Sequence, residues 1–478
     1  MILRTFNMYM KWVIIFILIA GGFYASPALA AFRAPSPDKI KYAPLQFALP
    51  QAERVVLENG IVLYILEDHE LPLVNINALI KTGAMYDPAG KEGVANLTAY
   101  VMKTGGSQKL SSSEIDKQFD FLAASPSITV AADSAQIDFS LLNKDIDHGL
   151  DLLAQILITP SFEQKKLDLA KELKIEDLRR LKDDPQKLAF REFSRVIFRD
   201  NPRGRNASLK SLKNIGRNDL VEFHSRFFQP QNIMFAVTGD ITKAEAISKI
   251  RRYFGNWQSA GPINIAPPPP LGSKASLYFI NKEIPQATII SGNYAPGKNN
   301  PDFYAFTVLD FIIGSGGFPS RIFSAVRNNE GLAYSAGSIY RPRSGHGFFA
   351  AYAFTKTEST LKTLSLIDSV LDKSKNNSIT EKEIIWAKKS INNGFIFSFT
   401  SAESIAWQQM KMEYEHLPAD YLSAYRKKID NVKTADINKA AAKYLDKKNY
   451  VVLILGDTRQ FGQALTGYGE PVIIIPQD

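Results

Sequence analysis

The sequence predicts an α+β fold built by tandem duplication of one α/β unit, with helices packed on a mainly antiparallel sheet. At 478 residues, the chain exceeds one ordinary core, so two domains of about 200 residues each are expected. Matching segments recur at one separation, 217 residues, from Ala170 to Ala387 and from Asp240 to Asp457. Apolar runs ending in Gly-Asp, FAVTGD and VVLILGD, are typical of buried strands, although period alone does not distinguish them from buried helix.

Residues 1–30 are predicted to be a secretory signal peptide. Arg4 and Lys11 precede an apolar run of 13 residues, WVIIFILIAGGFY. Ala28 and Ala30 are the small residues expected before a cleavage site. An uncleaved anchor is disfavoured because the run is shorter than the roughly 20 residues that span a bilayer. The mature chain is therefore expected in a bacterial periplasm, without a membrane segment.

The rest of the chain divides at proline-rich segments. Residues 31–50 are predicted to be an extended leader, and residues 51–260 the first domain, in which Asn59-Gly60 between two β-branched runs indicates a hairpin. Residues 261–275 include four consecutive prolines and are predicted to be a stiff linker. Residues 276–478 are predicted to be the second domain.

Composition excludes several classes of protein. Hydrophobic residues make up 45% of the chain and charged residues 22%, which argues against disorder. Cysteine is absent, so disulfides, thiolate ligands and a thiol nucleophile are excluded. The net charge is +9, but lysines alternate with acids along helix-like faces, as on a solvated surface. Nucleic-acid binding is therefore not expected.

Five stretches of sequence, in the order given, carry a family resemblance. They are residues 57–97, LKDDP at 181–185, QNIMFAVTGD at 231–240, IIGSGGFPSRIF at 312–323 and VRNNEGLAYS at 326–335. Together they resemble the M16 (pitrilysin or insulinase) peptidase family, particularly its short members related to the mitochondrial processing peptidase. The resemblance extends over nearly the whole mature chain. It implies two M16 domains of LuxS/metallohydrolase-like fold, of which the first would hold zinc.

The resemblance also implies that the zinc site has been lost. Active members carry His-x-x-Glu-His on a helix, where two imidazoles bind zinc and the glutamate activates water. Aligning KEGVANLTAYVMKTGG with that helix places Asn96, Ala99 and Tyr100 at the three positions. An amide, a methyl group and a protonated phenol cannot replace them. The family's distal carboxylate corresponds to Glu176 or Asp177, which are otherwise expected as charges on a solvated helix face.

No second catalytic or metal site is evident from the sequence. The five histidines are too widely spaced to form ligand pairs, and each is expected to be a surface or packing residue: His69, His148, His224, His346 and His416. The chain has neither a Gly-x-Ser-x-Gly elbow nor a Walker loop. No metal, cofactor or catalytic residue of its own is therefore expected, and a free-standing hydrolase ranks last among the hypotheses.

Arg327 and Tyr334 match a pair that the family uses for substrate binding. Members carry an arginine and a tyrosine seven residues apart in the second half, which contact the peptide carbonyl as it becomes tetrahedral. VRNNEGLAYS supplies both, with Arg327 expected at a helix end and Tyr334 at the start of a strand. A guanidinium and a phenol are suitable donors to an oxyanion. The alternative is a helix-end arginine followed by a core tyrosine.

The leading hypothesis is a non-catalytic subunit of a periplasmic M16 zinc metallopeptidase. Short members often pair a zinc-bearing chain with one that has lost the motif, so the expected partner is a zinc-bearing M16 subunit that supplies the zinc. The expected ligand is an unfolded peptide, bound as an added strand. Pairing with a second copy of the same chain stays open. The alternative is a non-enzymatic M16-fold binding or assembly protein, in which Arg327 and Tyr334 have no substrate role.

Overall fold

The computed structural model describes residues 49–199, 201–263, 275–376, 378–461, 465 and 471–476. The predicted signal peptide, all of the leader before Leu49, and residues 264–274 of the predicted linker lie outside the described residues. Below, the described residues up to 263 are called the first half and those from 275 onward the second half. No helix among the described residues combines the length and the apolar character needed to cross a bilayer.

The first half is a six-stranded sheet covered by helices. Its strands pair in the order β1-β2-β6-β3-β5-β4, and in this sheet only β2 and β6 run parallel. The strands are β1 (Glu53–Val56), β2 (Val62–Glu67), β3 (Leu73–Ile80), β4 (Ser127–Val130), β5 (Ala135–Leu142) and β6 (Ile233–Gly239). The α-helices are α1 (Val94–Thr104), α2 (Ser112–Phe121), α3 (Ile146–Ile158), α4 (Gln164–Arg180), α5 (Pro185–Ile197), α6 (Leu209–Asn214), α7 (Arg217–Phe227) and α8 (Lys243–Phe254).

The second half repeats this plan. Its strands pair in the order β12-β7-β11-β8-β10-β9, with β7 parallel to both β11 and β12. The strands are β7 (Ser276–Asn281), β8 (Gln286–Ala295), β9 (Ala333–Pro342), β10 (Gly347–Lys356), β11 (Val451–Gly456) and β12 (Pro471–Ile473). The α-helices are α9 (Phe303–Asp310), α10 (Arg321–Phe323), α11 (Thr360–Lys375), α12 (Glu381–Ile396), α13 (Ala402–Tyr414), α14 (Tyr421–Asp430) and α15 (Thr434–Tyr444).

The α+β class predicted from the sequence is confirmed, and antiparallel pairs predominate in both sheets. The hairpin predicted at Asn59-Gly60 joins β1 to β2, and Gly60 has a φ of 91° that favours glycine. Each half has its own main core between sheet and helices. Val74, Ile76 and Leu153 are among the fully buried residues in the core of the first half.

Equivalent lysines show the duplication at the level of single contacts. The Lys171 ammonium donates to the carbonyl oxygens of Lys213 at 3.2 Å and Ile215 at 2.8 Å, just beyond the end of α6. The Lys388 ammonium donates to the carbonyl oxygen of Asp430 at 3.0 Å, at the end of α14. Each lysine therefore satisfies carbonyl groups that a helix end leaves without a partner.

The two halves exchange one helix each. Leu188 and Phe193 of α5 pack with Ile290 and Leu453 of the second sheet. In return, Met410 of α13 packs on the first sheet, together with Ala406 against Tyr64 and Ala236. Helices α5 and α13 stand 217 residues apart, so the exchange is between equivalent elements. Each sheet thus buries one face under its own helices and the other under a helix from the opposite half.

Candidate functional site

Helix α1 carries the degenerate zinc-motif positions, and Gly93 and Asp87 determine where it begins. Gly93 precedes the helix with a φ of 112°, and a Cβ atom there would lie 2.8 Å from a Leu212 methyl group. The buried Asp87 carboxylate accepts hydrogen bonds from the backbone N–H groups of Gly93 at 2.6 Å and Ala95 at 2.8 Å. Burial raises the pKa of Asp87 to about 6, although these two hydrogen bonds oppose the shift.

The three motif positions line one open cleft of about 620 Å³ between α1, α4 and the strand β4. Asn96 is half-buried, the methyl group of Ala99 is buried, and 42% of Tyr100 is exposed. Among the described residues, neither the Asn96 amide nor the Tyr100 hydroxyl has a hydrogen-bond partner. The structure therefore brings Asn96, Ala99 and Tyr100 together on one helix face, as their spacing implies.

The two candidates for the distal carboxylate separate in the structure. Asp177 lines the cleft, one helical turn from Lys174. Glu176 instead faces its own helix surface, where its carboxylate accepts from Arg180 Nε at 2.9 Å and lies 4.0 Å from Arg179 Nη1. Of the two, only Asp177 lines the cleft with the three motif positions, whereas Glu176 forms a surface ion pair of small energetic value.

Two lysines that sequence reasoning missed line the same cleft. Lys103 and Lys174 lie there with Asp177, so the charged side chains of the cleft sum to one positive charge. A cleft of this sign repels a divalent cation, and the three motif positions offer only an amide, a methyl group and a phenol. Helical spacing from Asn96 through Tyr100 to Lys103 could have identified the first lysine. The residues present therefore do not fit zinc.

The remaining described residues offer no alternative metal site. Among the described residues, no group of three or more His, Asp or Glu side chains is placed to share a metal ion. His224 is buried, with Nε2 at 2.8 Å from the carbonyl oxygen of Leu157, and burial lowers its pKa to about 4. It is a packing residue, stacked on Phe228 with ring centroids 5.3 Å apart.

Arg327 and Tyr334 form a direct contact in the second half. Arg327 lies in a π-helical segment, Ser324–Asn329, that continues α10, and Tyr334 is the second residue of β9. Arg327 Nη1 donates to the carbonyl oxygen of Tyr334 at 2.6 Å, and its guanidinium lies 4.7 Å from the centroid of the Tyr334 ring. The Tyr334 side chain is 80% exposed. The alternative interpretation required Tyr334 to be a core residue, and this exposure contradicts it.

Two phenylalanines complete an aromatic cluster around Arg327. The guanidinium lies 5.1 Å from the ring centroid of Phe323 and 5.8 Å from that of Phe318, which is 67% exposed. These two rings meet edge to face at 4.7 Å. Sequence reasoning identified the stretch IIGSGGFPSRIF by resemblance but assigned no role to its phenylalanines, because the packing that joins them to Arg327 is tertiary.

The cleft and the aromatic cluster occupy corresponding places in the two sheets. Strand β4, which lines the cleft, ends the first sheet, and β9, which carries Tyr334, ends the second. Within the described residues, β4 pairs only with β5 and β9 only with β10. Each strand therefore has one edge of backbone N–H and C=O groups available to an added strand. The described residues that line the cleft all belong to the first half.

Comparison with known proteins agrees with this architecture. The family model described as Insulinase (Peptidase family M16) matches residues 63–208, and that described as Peptidase M16 inactive domain matches residues 214–391. The first match includes α1 with its three degenerate positions. The second includes Arg327, Tyr334 and the aromatic cluster.

Individual relatives and one solved structure extend the comparison. A Rickettsia felis protein described as an uncharacterized zinc protease is 24% identical over 400 residues, covering 81% of this chain and 93% of the relative. Non-peptidase homolog YmxG of Helicobacter pylori is 25% identical over 329 residues, covering 68% and 75%. A crystal structure of a peptidase M16 inactive domain from Pseudomonas fluorescens is similar, with a TM-score of 0.77 and 24% identity, covering 85% and 98%. The matched domains and the shared fold show that the chain belongs to the M16 peptidase family.

Proposed function

We propose that this protein is a non-catalytic subunit of an M16 zinc metallopeptidase and that a zinc-bearing M16 partner supplies the metal, the general base and the water. The single observation that carries the proposal is the difference between the two edge-strand sites, which are the cleft beside β4 and the Arg327 cluster beside β9. The first site has the family's helix without its chemistry, whereas the second keeps a half-buried arginine in contact with an exposed tyrosine. The name of the Helicobacter pylori relative, a non-peptidase homolog, supports the same assignment.

The charge of the cleft supports a role that needs no metal in this chain. Lys103 and Lys174 would repel zinc but would attract the carboxylates and carbonyl dipoles of a peptide. An unfolded segment added to the edge of β4 would lie between these lysines and Tyr100, with backbone hydrogen bonds that read no particular sequence. The cleft is therefore proposed to hold substrate while the partner cleaves it.

The exposure of the Arg327 cluster supports its proposed contact with the partner's substrate. Folding alone gives no reason to leave Tyr334 and Phe318 in water, because both rings could bury apolar surface. Arg327 Nη1 is occupied by the Tyr334 carbonyl, but the rest of its fork and the Tyr334 hydroxyl have no partner among the described residues. These donors are suited to a peptide carbonyl that becomes an oxyanion.

Export and domain division belong to the same proposal. Positions 1–30 contain basic residues, an apolar run and small residues before a cleavage site, which supports secretion into a periplasm. The partner would then have to be exported to the same compartment. The proposed domains remain residues 51–260 and 276–478, joined by the linker at 261–275. Each would contribute one of the two edge-strand sites.

Mixing experiments test the proposal directly. The purified protein is combined with a zinc-bearing M16 chain from the same organism, and cleavage of an unstructured peptide is followed. Activity is expected in the mixture and not with this protein alone, and Arg327→Ala is expected to lower kcat of the mixture by about 10²-fold. The matched control is Arg252→Ala, which removes an exposed arginine from α8. A partner that is fully active alone and gains nothing from the mixture would contradict the subunit role.

A further inference from the structure

A cavity of about 850 Å³ opens between the two halves, beside the turns that follow the edge strands β4 and β9. The first half contributes the end of β3, the turn between β4 and β5, and Arg203. The second half contributes the end of β8, the turn between β9 and β10, and the last turns of α13. The cavity is of the size that small organic ligands occupy. It is separate from the cleft beside α1, because the two have no lining residue in common.

The cavity is lined by an excess of positive charge. Lys81, Arg203, Arg343 and Lys411 line it, against the two carboxylates of Asp133 and Glu415. Glu415 is already neutralised by an ion pair with Lys298, whose side chain is largely buried. Asp133 therefore stands alone against four cations. A concave surface with one dominant sign of charge concentrates its field on a bound ion of the opposite sign.

These cations lack the partners that most lysines and arginines of this protein have. Within the part of the chain that the structure describes, the side chains of Lys81, Arg343 and Lys411 form no hydrogen bond and no ion pair. Arg203 uses one Nη for a 3.4 Å contact with Asn201, while its buried Nε has no partner. A buried donor without a partner costs free energy that a ligand could recover.

The protonation equilibria inside the cavity report the same field. The pKa of His346 is lowered to about 4, first by burial and then by Arg203 and Arg343. The pKa of Lys298 is lowered by burial, and Lys411 and Arg343 act in the same direction against Glu415. Arg343 thus disfavours the protonated forms of both His346 and Lys298.

Apolar and aromatic side chains form the remaining walls. Trp407 and Tyr86 line the cavity together with Leu79 and Pro296. The Tyr86 hydroxyl has no hydrogen-bond partner among the described residues, whereas the Tyr414 hydroxyl donates to the backbone carbonyl of Asp133 at 2.7 Å. Flat rings beside cations accommodate a ligand that has both an apolar body and an anionic end.

We propose that this cavity binds an organic carboxylate with an aromatic or aliphatic body, either a free small molecule or the C-terminus of a peptide, with Arg343 and Arg203 at the carboxylate and Trp407 and Tyr86 at the body. Guanidinium forks match carboxylates in a bidentate geometry. The ligand contacts both halves. This inference goes beyond the proposed subunit role, because it needs neither zinc nor a partner chain.

Inorganic phosphate and a merely solvated surface are less suitable explanations. A phosphate would leave the aromatic wall unused. Within the described residues no α-helix begins at a residue that lines the cavity, so the cations are not joined by the backbone N–H groups of an α-helix N-terminus. The combination of an unpartnered buried Arg203 Nε with a hydrophobic wall distinguishes this cavity.

Calorimetric titration of the full protein tests the proposal. The probes are N-acetylphenylalanine, an acetylated tripeptide acid ending in phenylalanine, the same tripeptide as its C-terminal amide, and inorganic phosphate. Both acids or one of them should bind, and the amide should bind at least about tenfold more weakly because it cannot form charge-assisted hydrogen bonds. The tighter of the two acids identifies the source as free molecule or peptide end. Quenching of Trp407 fluorescence, lost in Trp407→Phe, locates the site.

Variants decide whether the cavity is responsible. Arg343→Gln should weaken acid binding by about tenfold, and Arg252→Gln, a matched exposed arginine on α8, should not change it. The Arg343 side chain has no partner in the described chain, so the variant should keep its melting temperature; Lys411→Gln repeats the test with a second cation. Equal binding of acid and amide, tighter binding of phosphate than of either acid, no binding of either acid, or unchanged binding by both variants would overturn the proposal.

Discussion

The guanidinium of Arg327 lies 4.7 Å from the ring centroid of Tyr334 and donates to the Tyr334 carbonyl oxygen at 2.6 Å, although the tyrosine ring is 80% exposed. A contact of this kind between a half-buried cation and a ring of an exposed residue contributes only about 0.5–1 kcal/mol to folding. Because Tyr334 lies on the outermost strand of the second sheet, the contact suits the proposed role of orienting both side chains toward a substrate.

Replacement of Tyr334 should therefore separate function from stability. Tyr334→Phe and Tyr334→Ala are expected to change the free energy of unfolding by less than about 1 kcal/mol, because the side chain is exposed. In a mixture with a zinc-bearing partner, Tyr334→Phe should already lose activity if the hydroxyl is the donor. Urea unfolding and peptide cleavage measure the two effects. An active Tyr334→Phe mixture together with an inactive Tyr334→Ala mixture would assign the role to the ring instead.

Rebuilding the zinc motif tests the charge of the first cleft. Asn96→His, Ala99→Glu and Tyr100→His together would restore the family's residues on α1, beside Asp177. Adding Lys103→Gln and Lys174→Gln should tighten zinc binding by at least about tenfold, because two nearby cations no longer oppose the metal. Competition with a chromophoric chelator measures the affinity.

The control for this experiment replaces two lysines on the second half. Lys382→Gln and Lys389→Gln on α12 remove the same charge from exposed positions outside the cleft. The same gain in affinity from either pair would show that net charge, and not the charge of the cleft, controls zinc binding.

Asp87 should make stability depend on pH in a predictable direction. Its pKa is about 6 in the folded protein and 3.8 as the ordinary value, so the folded state binds the proton more tightly. Its contribution to stability is present below the ordinary value and is lost as pH rises from about 4 to about 6. Asp87→Asn should remove this dependence, although its single amide oxygen can replace only one of the two carboxylate oxygens that accept from the Gly93 and Ala95 N–H groups.

Urea unfolding of both proteins at pH 4 and pH 7 measures the effect. The difference in unfolding free energy between Asp87→Asn and the parent protein should move in favour of the variant by roughly 1–3 kcal/mol between these values. Comparison of the two proteins cancels His224, whose lowered pKa acts in the opposite direction. A difference that is the same at both pH values would mean that Asp87 stays ionised when buried.

The exchanged helices should make the two halves unfold together. Phe193 of α5 is buried on the second sheet, and Phe193→Ala should cost about 3–5 kcal/mol. Trp257 lies in the first core and Trp386 packs against the second, so variants in which Trp257 or Trp386 is the only one of the four tryptophans kept report each half separately. Both signals should shift together in Phe193→Ala. Loss of the second-half signal at lower urea than the first would contradict this coupling.

Local features of the sequence predicted the parts of this molecule that depend on neighbouring residues. The turn at Gly60, the helix face shared by Asn96 and Tyr100, and the order of Arg327 before the β9 strand follow from spacing and turn chemistry. The 217-residue separation predicted a duplication because equivalent contacts, such as those of Lys171 and Lys388, require equivalent residues.

Features that depend on contacts between distant segments were not predicted. Nothing in the amphipathic pattern of α5 says which sheet its apolar face covers, and Phe193 would satisfy the same pattern on either one. Lys103 and Lys174 meet only because α1 and α4 flank one cleft. Which of Glu176 and Asp177 faces the cleft likewise depends on the rotation of α4 about its axis, and residue spacing does not determine that rotation.

The reciprocal placement of α5 and α13 has a consequence for a chain severed between its two copies. Cleavage of one peptide bond within residues 264–274 would not release two independent proteins. Each fragment contains the helix that covers one face of the other fragment's sheet, so separation would expose both faces. The nicked polypeptides should co-elute from a sizing column under native conditions and separate only in denaturant. Expressed singly, each fragment should be insoluble, and co-expression should rescue both.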